Sequence, residues 1–135
     1  MRFGCLKADE VDTYWPVCRE MLGSAFKDKI NIYTVDDYHK PLLEGNLQLW
    51  VALNDRDVIG AVVTSIDTGS AMSVCTVHSL AGECLKTWSP LMDEALTKFA
   101  KDNNCKAIEA VTRKGFSRVF PDFIEDGTIY VRIIK

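Results

Sequence analysis

A chain of 135 residues, 47% of them hydrophobic and 26% charged, has the size and composition of one soluble globular domain with a single core. A domain of this length buries roughly 65–70% of the surface its unfolded chain exposes, so its stability requires neither a metal nor a disulfide. The net charge of −3 and pI near 5.3 argue against nonspecific binding to nucleic acid, which needs a basic surface.

Residues 2–7 suit a short first strand. Val11, Tyr14, Trp15, Cys18, Met21, Leu22, Ala25 and Phe26 then recur at three- and four-residue steps, the pattern of a helix with one buried face. Pro16 fits only near a helix start, which places that start at about Asp12 or Thr13. Thr34-Val35-Asp36-Asp37 reads as an N-cap with acidic residues in the first turn, and Gly45 stops the short second helix. The period then changes to two. Leu47–Leu53 and Val58–Ile66 flank Asn54-Asp55-Arg56-Asp57 as a hairpin, and a turn at Asp67-Thr68-Gly69-Ser70 leads to a third strand from Ala71 to His78.

Helical spacing returns with Leu85, Trp88, Met92, Ala95, Leu96 and Phe99 on one face and Asp93, Glu94, Lys98, Lys101 and Asp102 mostly on the other. Pro90 restricts the regular interior to residues after about Trp88, and Asn103-Asn104 ends the helix. Lys106–Thr112 reads as a strand, Phe116–Phe120 as a helical turn stopped by Pro121, and Thr128–Ile134 as a final strand. The expected fold class is α/β (α+β): a mixed sheet of about six strands with a central amphipathic helix over about 86–103 and two N-terminal helices, in one domain spanning 1–135.

Cys5, Cys18, Cys75, Cys84 and Cys105 are scattered, without a CxxC pair or a histidine at metal-ligand spacing. Free thiols in a reducing cytoplasm, with no metal, are the expectation. The N-terminus is too short and too quickly polar for a signal peptide, and no 18 apolar residues run together, so no membrane association is expected.

From Val74 to Arg118 the order is strand, polar loop, amphipathic helix, strand and the basic turn Arg113-Lys114-Gly115-Phe116. In α/β proteins, ligands bind where a strand hands over to its helix, and free backbone amides there hold phosphate. The order strand, two helices, meander, long helix, strand, short helix, strand resembles the GNAT superfamily of acetyl-CoA-dependent N-acyltransferases over nearly the whole chain. Lys86-Thr87-Trp88-Ser89-Pro90-Leu91, Phe99-Ala100 with Asn104-Cys105-Lys106-Ala107-Ile108-Glu109, and Arg113-Lys114-Gly115-Phe116-Ser117-Arg118 are similar to GNAT-like proteins encoded by bacteriophages, including small internal virion proteins of short-tailed phages.

The resemblance implies an acetyl-CoA cofactor and a small-molecule or protein amine as acceptor. The family's Gln/Arg-x-x-Gly-x-Gly/Ala loop aligns with Cys84-Leu85-Lys86-Thr87-Trp88-Ser89, which lacks the basic or amide first residue and the first glycine. Asp122 and Arg118 stand near the positions of the family's glycine and tyrosine acid. The expected coenzyme contacts are Val77 near the end of the third meander strand, Ser79 opening the polar loop after it, Leu85, Lys86, Thr87, Trp88 and Ser89 at the helix start, and Arg113. Trp88, Phe99 and Phe116 offer an adenine or acyl platform, or else belong to the core.

His78 is the expected general base, because imidazole titrates near neutral pH; a structural hydrogen-bonding role is the competing reading. Glu109 on the next strand is the second candidate, and Cys75 or Cys84 would need an adjacent base to act as a nucleophile. A plain N-cap at Thr87 competes with a phosphate site there. Two functions follow: an N-acetyltransferase with a degenerate pyrophosphate loop, or a catalytically silent GNAT-fold phage protein acting as a virion component or binding a host factor. A module that holds a CoA-like ligand without turnover is a third. Location follows suit, in the host cytoplasm or the virion.

Overall fold

Alternating side chains give the central strands two apolar faces, and the helices divide between them. The computed structural model describes residues 1–26, 33–110, 119–124 and 132–134. Strand β1 (Arg2–Cys5) passes through a 3-10 turn at Ala8–Glu10 into helix α1 (Val11–Gly23). A second 3-10 turn, Val35–Tyr38, opens helix α2 (His39–Glu44). Strands β2 (Gln48–Asn54), β3 (Asp57–Thr68) and β4 (Ser73–Gly82) form the meander, helix α3 (Leu85–Asp102) follows, and β5 (Ala107–Ala110) returns beside β4. The sheet order is β1-β2-β3-β4-β5, antiparallel except for the parallel β4–β5 pair.

On one face Val51, Ala61 and Val63 pack against Val11, Trp15, Cys18 and Leu22 of α1 and Leu42 of α2. On the other, Trp50, Ala52, Val62 and Val77 pack against Trp88, Met92 and Leu96 of α3. The two helical layers therefore sandwich the sheet. His39 ties α2 to α1: its ring stacks on Trp15 at 5.1 Å between centroids, and its Nε2 lies 2.7 Å from Asp12 Oδ1. The N-cap at Thr34 is present, its N–H donating to Asp37 Oδ2 at 2.7 Å, and Gly45 closes α2 at φ 81°.

Several boundaries differ from the sequence expectation. Helix α1 starts at Val11 because the preceding 3-10 turn is closed by the Lys7 N–H donating to Glu10 Oε1 at 2.9 Å, and Pro16 lies well inside the helix. Pro90 likewise lies within α3, which starts at Leu85; the Lys86 carbonyl it deprives of a backbone partner accepts the Ser89 hydroxyl at 3.4 Å. Strand β4 begins at Ser73 and continues past His78 to Gly82, so the connection to α3 shrinks to Glu83-Cys84. Five strands are seen among the described residues. The expected sixth strand falls mostly on residues 125–131, and the end of the expected Lys106–Thr112 strand, most of the Phe116–Phe120 turn and the basic turn fall on 111–118; both segments lie outside the described residues.

Candidate active site on strand β4

Strand β4 is irregular at one point. Val63 of β3 pairs with Ser79 and Thr64 with Val77, so His78 is an extra residue with no partner across the ladder. Such a bulge turns adjacent side chains onto one face. Val77 and Leu80 pack toward α3, whereas His78 reaches Ser65 and Ser79 reaches Tyr38 on the α1/α2 side. A regular strand would have sent one of the two into the opposite layer.

Polar groups gather around this bulge. His78 Nε2 lies 2.7 Å from Ser65 Oγ, the Ser65 hydroxyl donates to Asp67 Oδ2 at 3.0 Å, and the Thr76 hydroxyl donates to the same oxygen at 2.6 Å. The phenol of Tyr38 lies 2.7 Å from Ser79 Oγ. Burial pushes the His78 imidazole below its ordinary value, a shift partly offset by the nearby Asp67 carboxylate. Burial pushes the Tyr38 phenol upward, with the bond to Ser79 opposing. At neutral pH both groups are therefore uncharged.

Glu109 shares this face. Its neighbours Ile108 and Ala110 pack toward α3, and Glu109 is in register with Thr76. It is exposed and lines, with Asp67, Thr68, Ser70, Met72 and Val74, an open cleft of about 530 Å3 at the β3–β4 turn. The expected bases His78 and Glu109 thus stand on one side of the sheet.

The start of α3 is shaped by two close approaches. A Cβ at Gly60 would lie 2.4 Å from the Trp88 ring, and a Cβ at Gly82, where φ is +143°, would lie 2.3 Å from the Ile59 carbonyl oxygen. Ile59 is itself a bulge residue, skipped between the pairs Ala52–Gly60 and Leu53–Val58, and its carbonyl accepts the Glu83 N–H at 2.8 Å. Cys84 then takes the left-handed conformation at φ 54°, and its carbonyl accepts from Thr87 N–H at 2.8 Å and Trp88 N–H at 3.4 Å. Among the described residues the N–H groups of Leu85 and Lys86 meet no acceptor. Two free amides, a helix N-terminus and the exposed Lys86 side chain fit a phosphate group.

The remaining expected contacts divide. Thr87 is exposed and Leu85 half-buried at the same turn. Val77 is buried against α3, and Ser79 is a buried strand residue engaged by Tyr38 instead of a loop residue. Ser89 is buried with its hydroxyl turned to its own helix. Trp88 is fully buried, its Nε1–H donating to the Glu83 carbonyl at 2.7 Å and its ring stacked 5.8 Å from Phe3, so its indole is core and no ligand platform. Phe99 is also core, edge-on to Trp50 at 5.2 Å. Arg113 and Phe116 lie outside the described residues. Cys75 is buried and its thiol is pushed up to about 11, chiefly by desolvation, which removes it as a nucleophile near neutral pH. Cys84 is exposed. Among the described residues no group of three His, Cys, Asp or Glu is placed to hold a metal ion, and no helix is long and apolar enough to cross a membrane.

Tyr38, Ser65, Asp67 and Thr76 were not anticipated. For Ser65 and Asp67 the signal is the run Val63, Ser65, Asp67 in β3, where a face that is apolar over its first half turns polar.

No protein-family model and no curated protein sequence matches this chain. Solved structures do. A probable acetyltransferase superposes with a TM-score of 0.74 at 14% identity, over 100% of this chain and 99% of its own. An aminoglycoside acetyltransferase from an uncultured soil metagenomic sample, solved with sisomicin, gives 0.71 at 13% identity, over 99% and 96%. A predicted acetyltransferase from Clostridium acetobutylicum, solved with acetyl-CoA, gives 0.67 at 13% identity, over 98% and 95%. At such identities the likeness carries the architecture, and the strand order, the helix after β4 and the full-length superposition together show that this chain has the GNAT fold.

Proposed function

We propose that this protein is an acetyl-CoA-dependent N-acyltransferase that uses His78 as its general base. The observation that carries this reading is the β4 bulge, which sets a neutral imidazole on the α1/α2 face of the strand that leads into the free amides of α3. Leu85 and Lys86 would hold the coenzyme's phosphates through two N–H groups and an ammonium. Acetyl-CoA would supply the activated acyl group. His78 would take the proton of the acceptor amine, and burial favours the form able to do so. Asp67 and Glu109 edge the adjoining cleft with negative charge, which suits an acceptor that arrives as a cation. The structural neighbour solved with sisomicin adds support for a small amine of that kind.

Calorimetry of the full chain with acetyl-CoA tests the first step, and thiol release over an amine panel, corrected for the protein's own five cysteines, tests the second. Binding followed by thiol release is expected. His78→Ala should lower turnover by roughly 10²–10⁴-fold while sparing acetyl-CoA affinity. No heat and no thermal shift at millimolar acetyl-CoA would defeat the reading.

A second reading rests on the same helix start. The N–H groups of Thr87 and Trp88 are already tied to Cys84, and the Trp88 ring wedged over Gly60 keeps this turn from opening. Fewer amides are then available than a glycine-rich loop would offer. That favours a silent GNAT-fold protein, which the phage likeness of residues 86–91, 99–100, 104–109 and 113–118 would place in a virion or on a host factor. Binding without thiol release would select a ligand-holding module instead.

A further inference from the structure

We propose that Ser65 and Asp67 are positioning residues that lock His78 in its Nε2–H tautomer, leaving Nδ1 as the basic atom. This inference rests on the reading of His78 as the base for its use, but its structural content stands without it.

A serine hydroxyl has one proton to give. Ser65 has two polar neighbours, Asp67 Oδ2 at 3.0 Å and His78 Nε2 at 2.7 Å. A hydrogen bond to a carboxylate is stronger than one to a neutral ring nitrogen, so the proton goes to Asp67. The Ser65 oxygen then presents only lone pairs to His78, and Nε2 has to carry the hydrogen that joins them. In a neutral imidazole the other nitrogen is then bare. Thr76 keeps Asp67 in place: its hydroxyl donates to the same Oδ2 at 2.6 Å, from the residue opposite Ser65 in the ladder.

The bulge makes this contact available, since Ser65 and His78 are not ladder partners and meet only because the extra residue returns to the Ser65 face. Among the described residues no acceptor or donor is seen at Nδ1. When Nδ1 takes a proton from an amine, a bond forms there, the N–H of the amine breaks, and the Nε2–H···Oγ–H···carboxylate chain keeps every hydrogen where it was. No reorientation of Ser65 or Asp67 is needed, and the Asp67 charge is already aligned to favour the cation.

Nitrogen-15 NMR of the full chain labelled at histidine tests this directly, since protonated and bare imidazole nitrogens resonate far apart. The chain has two histidines, so His39→Gln assigns the signals. Wild type should show the Nε2–H tautomer in large excess above the titration of His78. Ser65→Ala should collapse that excess toward a mixture, and Asp67→Ala, which removes the acceptor of the serine proton and lets it point at Nε2, should shift it toward Nδ1–H; Ser65→Thr should restore the wild-type pattern. A wild-type Nδ1–H tautomer, or one unmoved by Ser65→Ala and Asp67→Ala, would overturn the proposal. If the tautomer behaves as stated but no amine is acetylated, the acyltransferase reading falls and the lock stands.

Discussion

Gly60 shows how one missing side chain shapes the start of α3. The Trp88 indole lies where a Cβ would be, fully buried, hydrogen-bonded through Nε1 to Glu83 and stacked on Phe3, so it has nowhere to retreat. Gly60→Ala should therefore destabilise the protein by about 1–3 kcal/mol in urea unfolding, the range for overpacking a closed core. Trp88→Phe shortens the obstructing ring, and in the double variant the cost of the alanine should shrink; additive costs would show that the clash is relieved elsewhere. Asp67 makes a second test at this scale. Its carboxylate raises the His78 titration against the larger opposing effect of burial. Asp67→Asn should accordingly move the His78 midpoint further below its ordinary value by NMR titration, and an upward move would contradict the placement of that charge.

Strand β4 is where reading the sequence and seeing the structure part company. The alternation of Thr76 and Val77 breaks at His78-Ser79, which on pattern alone ends a strand; physically the break is a bulge, and regular alternation resumes at Leu80 and Ala81. A bulge has no composition signature, so His78 could be nominated as a candidate base while its partners Ser65 and Asp67 could not. The amphipathic run of α3 and the Thr34 and Gly45 caps were legible because side-chain spacing and backbone chemistry specify them locally. The role of Trp88 was not, because helical spacing is the same for a core indole and a ligand platform, and only Gly60 beneath it decides. The bulge also makes a prediction for the element. Deleting His78 leaves Thr76, Val77, Ser79, Leu80 and Ala81 in strict alternation, each on its present face. The deletion variant should fold with a melting temperature no lower than wild type, gain amide protection around Ser79, and lose the acetyl transfer proposed to depend on His78. Unfolding of the deletion variant would show that the bulge is required by the sheet itself and not by the site.

The whole molecule answers to pH from both sides of neutrality. His78 titrates below its ordinary 6.5 in the folded chain, so the unfolded chain binds its proton first and stability falls as pH drops from 6.5 toward the folded value. Asp36, held below its ordinary 3.8 by the Arg19 guanidinium, adds a loss only at still lower pH, and its full exposure keeps that contribution small. On the alkaline side the signs reverse. Cys18, fully buried on the inner face of α1, is pushed from 9.0 up to about 12 by desolvation, and the equally buried Cys75 to about 11. Their stabilisation is complete below pH 9 and is lost as pH rises toward the folded values, because only the unfolded chain can ionise them there. One such thiol costs up to about 1.4 kcal/mol per pH unit, and two acting together cost about twice that between pH 9 and 11. By pH 11 the two together remove about 5 kcal/mol, so a protein at the low end of ordinary stability, about 5 kcal/mol, should unfold cooperatively near pH 11 and a more stable one should only weaken there, while stability holds from about pH 6.5 to 9. Cys18→Ala should leave a cavity and lower stability at pH 7, yet flatten the decline above pH 9; Cys75→Ala should flatten it further. Unfolding free energies measured by urea titration at pH 7, 9 and 10.5 decide the matter, and a decline of unchanged slope in the double variant would place the alkaline sensitivity in other groups.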